Sequence, residues 1–173
     1  IDMVKQIENL NKGVYLEDEI TEGVKTDFCI GVAGYPEKHY ESPNPDLDLM
    51  FLKHKIDAGA DYITTQMFFD NQKYHQFVKN CRESKIDVPI IPGIKPITSK
   101  KQLSGIPSIF HVDIPNDLAI EMMKCKHEKD AELVGEEWML MQVKDLIKSG
   151  APVIHFYTLG KPHVVYNVMK KVL

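Results

Sequence analysis

The sequence predicts an α/β fold on a parallel sheet, and two observations carry that prediction. Four short apolar runs, at 28–36, 61–69, 88–94 and 152–160, alternate with helical patterns, the order that right-handed crossovers produce. Each run is nearly continuous in apolar residues, as expected for a sheet covered on both faces. Two completions stay open: a small self-contained layered sheet, or a segment of an eight-stranded barrel needing about 250 residues. In both, ligands bind at the carboxyl ends of the strands.

The elements follow in order. A helix over 2–11 puts Met3, Ile7 and Leu10 on one face and stops at Gly13; the polar stretch 14–26 reads as a loop. The first strand, FCIGVAGYP, runs into a proline turn and the long loop EKHYESPNP. The next helix has Asn44 as N-cap, Pro45 at its first position and Gly59 as its stop. DYITTQMFF is the second strand, and 71–84 is helical. VPIIPGI is the third strand, and the TSKKQL segment after it reads as helical. Helices are expected over 115–126 and 130–149, the second with Val134, Trp138 and Met141 on one face. PVIHFYTLG is the fourth strand, and 162–173 a closing helix.

Composition narrows the function classes. At 173 residues, 43% hydrophobic and 27% charged, the chain reads as one soluble globular domain. A net charge of −4 provides no basic face, so nucleic acid is not an expected partner. No apolar run approaches the ~18 residues of a membrane helix, and no signal peptide is visible. Cys29, Cys81 and Cys125 are odd in number and lack C-x-x-C spacing, which suits reduced thiols in the cytoplasm and no cysteine metal site. The chain begins at Ile1 without an initiator Met, so an N-terminal part is expected to precede it.

The strand ends carry Ala33-Gly34-Tyr35, Gln66, Pro92-Gly93-Ile94 and Tyr157-Thr158-Leu159. Ala33 and Gly34 are small enough for a flat ligand to approach the backbone, and Tyr35 offers a ring and a hydroxyl. His39 follows in a long βα loop, a frequent home of function. On the next helix Asp48, Phe51 and Lys55 share one stripe, while Leu49, Leu52 and Ile56 form the stripe facing the sheet. Surface roles compete for His39, His54 and the Asp48–Lys55 pair. Gln66 is harder to place as surface, because an amide inside an apolar strand must find partners. No dinucleotide fingerprint, P-loop, zincin or nucleophile-elbow motif is present.

Taken together, DFCIGVAGYPEKH, DAGADYITTQMFFDNQKY, VPIIPGIKPITSKKQL and HFYTLGK resemble the methylenetetrahydrofolate reductase family, in its order and spacing. The resemblance implies a (β/α)8 TIM barrel of which residues 1–173 are the C-terminal part of a single domain, roughly strands five to eight. It also implies reduction of 5,10-methylenetetrahydrofolate to 5-methyltetrahydrofolate, in one-carbon metabolism and methionine biosynthesis. FAD is the implied cofactor and NADH or NADPH the co-substrate, with two hydride transfers through one flavin. The family's general acid glutamate and its R-G-D-like segment belong to earlier strands, so no catalytic residue is expected here. Carried over, the resemblance puts Tyr35, His39 and Ser42 beside the FAD, with Asp48, Phe51, His54 and Lys55 at its ribose and diphosphate. His54 stands where Arg occurs and Phe51 where a polar side chain can occur. Gln66 matches a strand glutamine that meets the pterin or the nicotinamide in turn. Gln102 aligns with a further folate contact, and Lys161 with a common Arg near the folate's glutamate tail, beside Gly160 in place of Asn. A homo-oligomer is expected. The rival reading is a catalytically incomplete half-barrel that serves only as an assembly piece.

Overall fold

The computed structural model describes residues 1–17 and 22–173. Residues 18–21, inside the predicted 14–26 loop, lie outside the described residues. The elements are α1 (Asp2–Asn11), β1 (Gly31–Gly34), α2 (Pro45–Asp57), β2 (Tyr62–Met67), α3 (Asn71–Glu83), β3 (Ile90–Ile94), α4 (Gln102–Phe110), α5 (Asn116–Lys124), α6 (Glu128–Lys148), β4 (His155–Phe156) and α7 (Pro162–Met169). The four strands form one parallel sheet in the order β1-β2-β3-β4. Each strand pairs with its neighbour in sequence, as successive βα units require.

The expectation of a sheet covered on both faces is corrected. In β2, Ile63, Thr65 and Met67 are buried while Tyr62, Thr64 and Gln66 are only half-buried. Ile63, Ile90 and Ile94 pack into one core with Leu52, Phe77, Met139, Val143, Leu146 and Val168 of the helices. On the other face Gly31 and Ala33 are exposed. Helices therefore cover one face, and the opposite face carries the strand-end side chains.

Helix α2 forms as its caps dictate. Asn44 Oδ1 accepts the Leu47 N–H at 2.8 Å, and Leu49, Leu52 and Ile56 pack on the sheet. Two helical faces differ from expectation. In α1 Met3 is exposed and Val4 is buried against Ile30 and Ala60. In α6 Met141 is exposed, and Ala131, Gly135, Met139, Val143 and Leu146 face inward. The inward face of α6 is set by contact with the β3–α4 loop: a Cβ at Gly135 would lie 1.7 Å from the Ile97 carbonyl oxygen. Trp138 Nε1 donates to the Phe69 carbonyl at 2.9 Å, and Gln142 Nε2 to that of Phe68 at 3.2 Å. These bonds tie α6 to the exit of β2.

Three boundaries also shift. The first strand is paired only over Gly31–Gly34, and the fourth only over His155–Phe156. Gly93 donates toward β2 and the Ile94 carbonyl accepts from Tyr157 of the β4 segment, so successive residues of β3 face opposite neighbours. Pro92 faces β4 and has no N–H to give it, which delays that ladder to Gly93. The helix expected over 98–103 begins instead at Gln102 and runs through Gly105 and Pro107 to Phe110. Among the described residues no helix is long and apolar enough to cross a membrane. Cys29 is exposed, while Cys81 and Cys125 are buried, and burial pushes the Cys81 thiol up to about 12.

Candidate functional site at the strand ends

The end of β2 is not regular. Thr64 pairs with Ile91 but Met67 pairs with Gly93, so Thr65 and Gln66 together oppose Pro92 alone. This is a β-bulge, the device that re-aims a side chain beside a site. Thr65 Oγ1 replaces a ladder carbonyl and accepts the Gly93 N–H at 2.9 Å. The Thr65 carbonyl accepts the Tyr157 hydroxyl at 3.0 Å. Gln66 Oε1 accepts its neighbour's backbone, Met67 N–H, at 2.9 Å, which leaves the amide nitrogen without a partner within the described residues.

Beside this lies a cleft of about 930 Å³ between the end of β1, helix α2 and helix α3. Such a volume suits a large organic ligand. Ala33, Gly34, Tyr35, Asp48 and Lys55 line it, with Lys73 and Gln76 opposite. Lys55 makes no ion pair or hydrogen bond among the described residues, so its ammonium is available to a ligand. A small cavity of about 10 Å³ joins Tyr35 and Gln66 with Glu37 and His111. Tyr35 has its phenol pushed above the ordinary range by burial, reinforced by Asp48 and Glu41.

The β1–α2 loop is held by its own polar groups. Lys38 takes a left-handed conformation (φ 83°), and its ammonium donates to the carbonyls of His39, Tyr40 and Ser42. Asp48 Oδ2 accepts the His39 N–H at 3.0 Å, so this carboxylate fixes the loop as well as facing the cleft. The rings of Tyr35 and His39 meet edge-on at 4.6 Å, and Tyr40 stacks on His111 at 4.5 Å.

The sequence-predicted residues thus divide. Tyr35, Asp48 and Lys55 come together in the cleft, and Gln66 stands one cavity away. His39 and Ser42 lie in the loop above; Ser42 is buried and its hydroxyl donates to the Asn44 carbonyl at 3.4 Å. Phe51 and His54 are exposed on α2, edge-on to each other at 6.5 Å, and line neither cavity. Gln102 Oε1 accepts the Thr98 N–H at 2.7 Å, organising the β3–α4 loop, and its amide nitrogen has no partner among the described residues. Lys161 bonds Glu132 at 2.9 Å, away from the cleft.

One cluster escaped the sequence reading. Glu37 accepts the Asp113 N–H at 2.8 Å, and Lys73 lies 3.0 Å from Glu37 and also bonds Asp113. Burial pushes the Glu37 carboxyl up despite those donors, and its Oε1 has no partner among the described residues. Lys73 holds the more exposed Asp113 below its ordinary range. The one local signal was an acid directly after the proline that ends β1.

Parallel strands, helices on one face and polar groups gathered at the carboxyl edge define an α/β protein of the strand-end-site class. Residues 2–172 match the sequence profile described as methylenetetrahydrofolate reductase, and the chain belongs to that family. It is 41% identical over 145 residues to the 5,10-methylenetetrahydrofolate reductase of Escherichia coli (strain K12), covering 82% of this chain and 48% of that protein. The namesake of Buchnera aphidicola subsp. Schizaphis graminum is 40% identical over 144 residues, covering 82% of this chain and 49% of its own length. A probable methylenetetrahydrofolate reductase (NADPH) of Caenorhabditis elegans is 38% identical over 145 residues, covering 83% of this chain and 22% of its own. The chain spans about half the length of these bacterial relatives. Among solved structures, a Clostridium thermocellum protein described as binding two copies of 5-methyl-5,6,7,8-tetrahydrofolic acid superposes with a TM-score of 0.57 at 19% identity. That match covers 84% of this chain and 54% of the other, and it supports the fold.

Proposed function

We propose that this chain supplies strands five to eight of a (β/α)8 reductase that converts 5,10-methylenetetrahydrofolate to 5-methyltetrahydrofolate with NADH or NADPH. The observation that carries the reading is the bulge at Thr65–Gln66, which presents a half-satisfied carboxamide at the carboxyl edge of a central strand. A pterin edge and a nicotinamide carboxamide both pair with such a group, and without a ligand water would. The family membership and the folate-binding structural neighbour agree with it.

The residues present fit a flavin dinucleotide. The exposed backbone at Ala33 admits a flat ring, Tyr35 flanks it, and the unengaged Lys55 ammonium suits a diphosphate. When bound, FAD supplies the hydride relay between the nicotinamide and the folate. Asp48 orients the loop that carries His39, and with it the wall of the cleft. Gln66 orients whichever ligand occupies the slot, and Gln102 and Lys161 extend the folate side toward the tail. The deciding experiment uses the purified protein at its natural length. A yellow protein that reduces 5,10-methylenetetrahydrofolate with NADH or NADPH bears the reading out, whereas a colourless, inactive one overturns it.

A second reading has its own observation. β1 and β4 each pair on one side only, and unpaired strand edges recruit other chains. An assembly role without catalysis would leave the protein flavin-free while still oligomeric.

A further inference from the structure

We infer that Tyr157 and Thr65 are positioning residues that set the angle of the Gln66 carboxamide and so govern how the slot takes its ligands. This rests on the reading of the slot just given. A bulge holds only where the groups it displaces from the ladder find other partners, and here side-chain hydroxyls supply them. Thr65 is fully buried, with its hydroxyl bound to the Gly93 N–H at 2.9 Å and its carbonyl bound to the Tyr157 hydroxyl at 3.0 Å. Gly93 makes this possible: a Cβ there would lie 2.4 Å from the Thr65 oxygen and 2.6 Å from the Tyr157 ring. The ring is further braced by His155, edge-on at 4.5 Å. A phenol is protonated at neutral pH and so can donate, and burial pushes that of Tyr157 further up.

Without the clasp the strand can return to a flush register. A flush register would set Gln66 opposite Gly93 instead of sharing Pro92 with Thr65, which re-aims its side chain. Among the described residues the one bond of the Gln66 side chain, to Met67 N–H, belongs to the bulged geometry. Tyr157 need not touch either ligand to control both.

The test uses Tyr157→Phe and Thr65→Val in the protein at its natural length, each also in a Gln66→Ala background. Both substitutions should raise KM for the folate and for the nicotinamide together, by about three- to tenfold, while flavin content stays at the parent value. In the Gln66→Ala background the same substitutions should add less than about twofold, since effects through one residue do not add. Unchanged KM values, or an equal rise in both backgrounds, would overturn the inference. Should the parent protein reduce no folate, the reading of the function falls, and a crystal structure of Tyr157→Phe decides the positioning by itself. Loss of the Gln66–Met67 bond would support it, and retention of the parent geometry would sink it.

Discussion

Lys55 and Asp48 share a helix stripe yet differ in what occupies them. Asp48 already holds the His39 N–H, whereas Lys55 is unengaged. Lys55→Ala should therefore weaken FAD retention by about 1–2 kcal/mol and leave the melting temperature unchanged. Equilibrium dialysis with FAD reads it, and unaltered retention would make Lys55 a solvated lysine. Gln66→Glu separates the two halves of the carboxamide. The substitution keeps the oxygen that accepts Met67 N–H, so the bulge survives, but it removes both donors and adds a charge. Folate reduction and flavin reduction by the nicotinamide should both slow, by roughly 1–3 kcal/mol of transition-state stabilisation, with flavin content near normal. Stopped-flow traces of the two half-reactions check this, and unchanged rates in both return Gln66 to a structural role. Gln66 was legible because an amide in an apolar strand demands partners. Its bulge was not, because register depends on what Gly93 and Tyr157 offer from two other strands. The Glu37–Asp113 bond joins residues 76 apart, which no local pattern encodes.

At the scale of elements, α2 was read correctly to its caps because Asn, Pro and Gly act locally there. Helix α4 was placed too early and too short because Gly105 and Pro107 speak against a helix interior, while Gln102 closing onto Thr98 marks its start. The inward face of α6 was misassigned because Met141 and Leu133 are apolar yet exposed, and hydropathy alone cannot rank them below a glycine. Ion pairs add to the apolar packing between α6 and α7. Glu132 bonds Lys161 at 2.9 Å and His163 at 2.8 Å. Lys161, then His163, hold the Glu132 carboxyl below its ordinary value of 4.5. A carboxyl depressed in the folded state contributes stability above its unfolded pKa and loses it as pH falls through the folded one. The clasp should thus be intact at neutral pH and be lost as pH falls below the ordinary carboxylate range, through the depressed folded value. Glu132→Gln should cost about 0.5–1 kcal/mol at pH 7 and flatten the acid limb of a urea-midpoint-versus-pH curve. An acid limb identical to the parent's would show that the clasp contributes nothing.

At the scale of the molecule, helices cover one sheet face, the other face is bare, and the candidate site lies at the carboxyl edge. The parallel alternation was legible from the four apolar runs; the bareness of the second face was not, since apolar runs look alike whether one or both sides are covered. Tyr35 and Gln66 stand at that edge, and Asp48 and Lys55 line the cleft between α2 and α3 beside it. The 173-residue chain expressed by itself should then neither retain FAD stoichiometrically nor reduce folate, because a flavin held along one wall only is exposed to exchange. A yellow, catalytically active preparation of this chain alone would refute that.

The distribution of thiols has a practical consequence. Cys29 is exposed just ahead of the first strand, while Cys81 is buried and poorly ionised and Cys125 is buried against the Glu121 carbonyl. A maleimide dye applied to the native protein should attach at one address, beside the unpaired rim of β1. A fluorophore there becomes a proximity gauge, its emission shifting when another polypeptide docks along that rim and returning when it leaves.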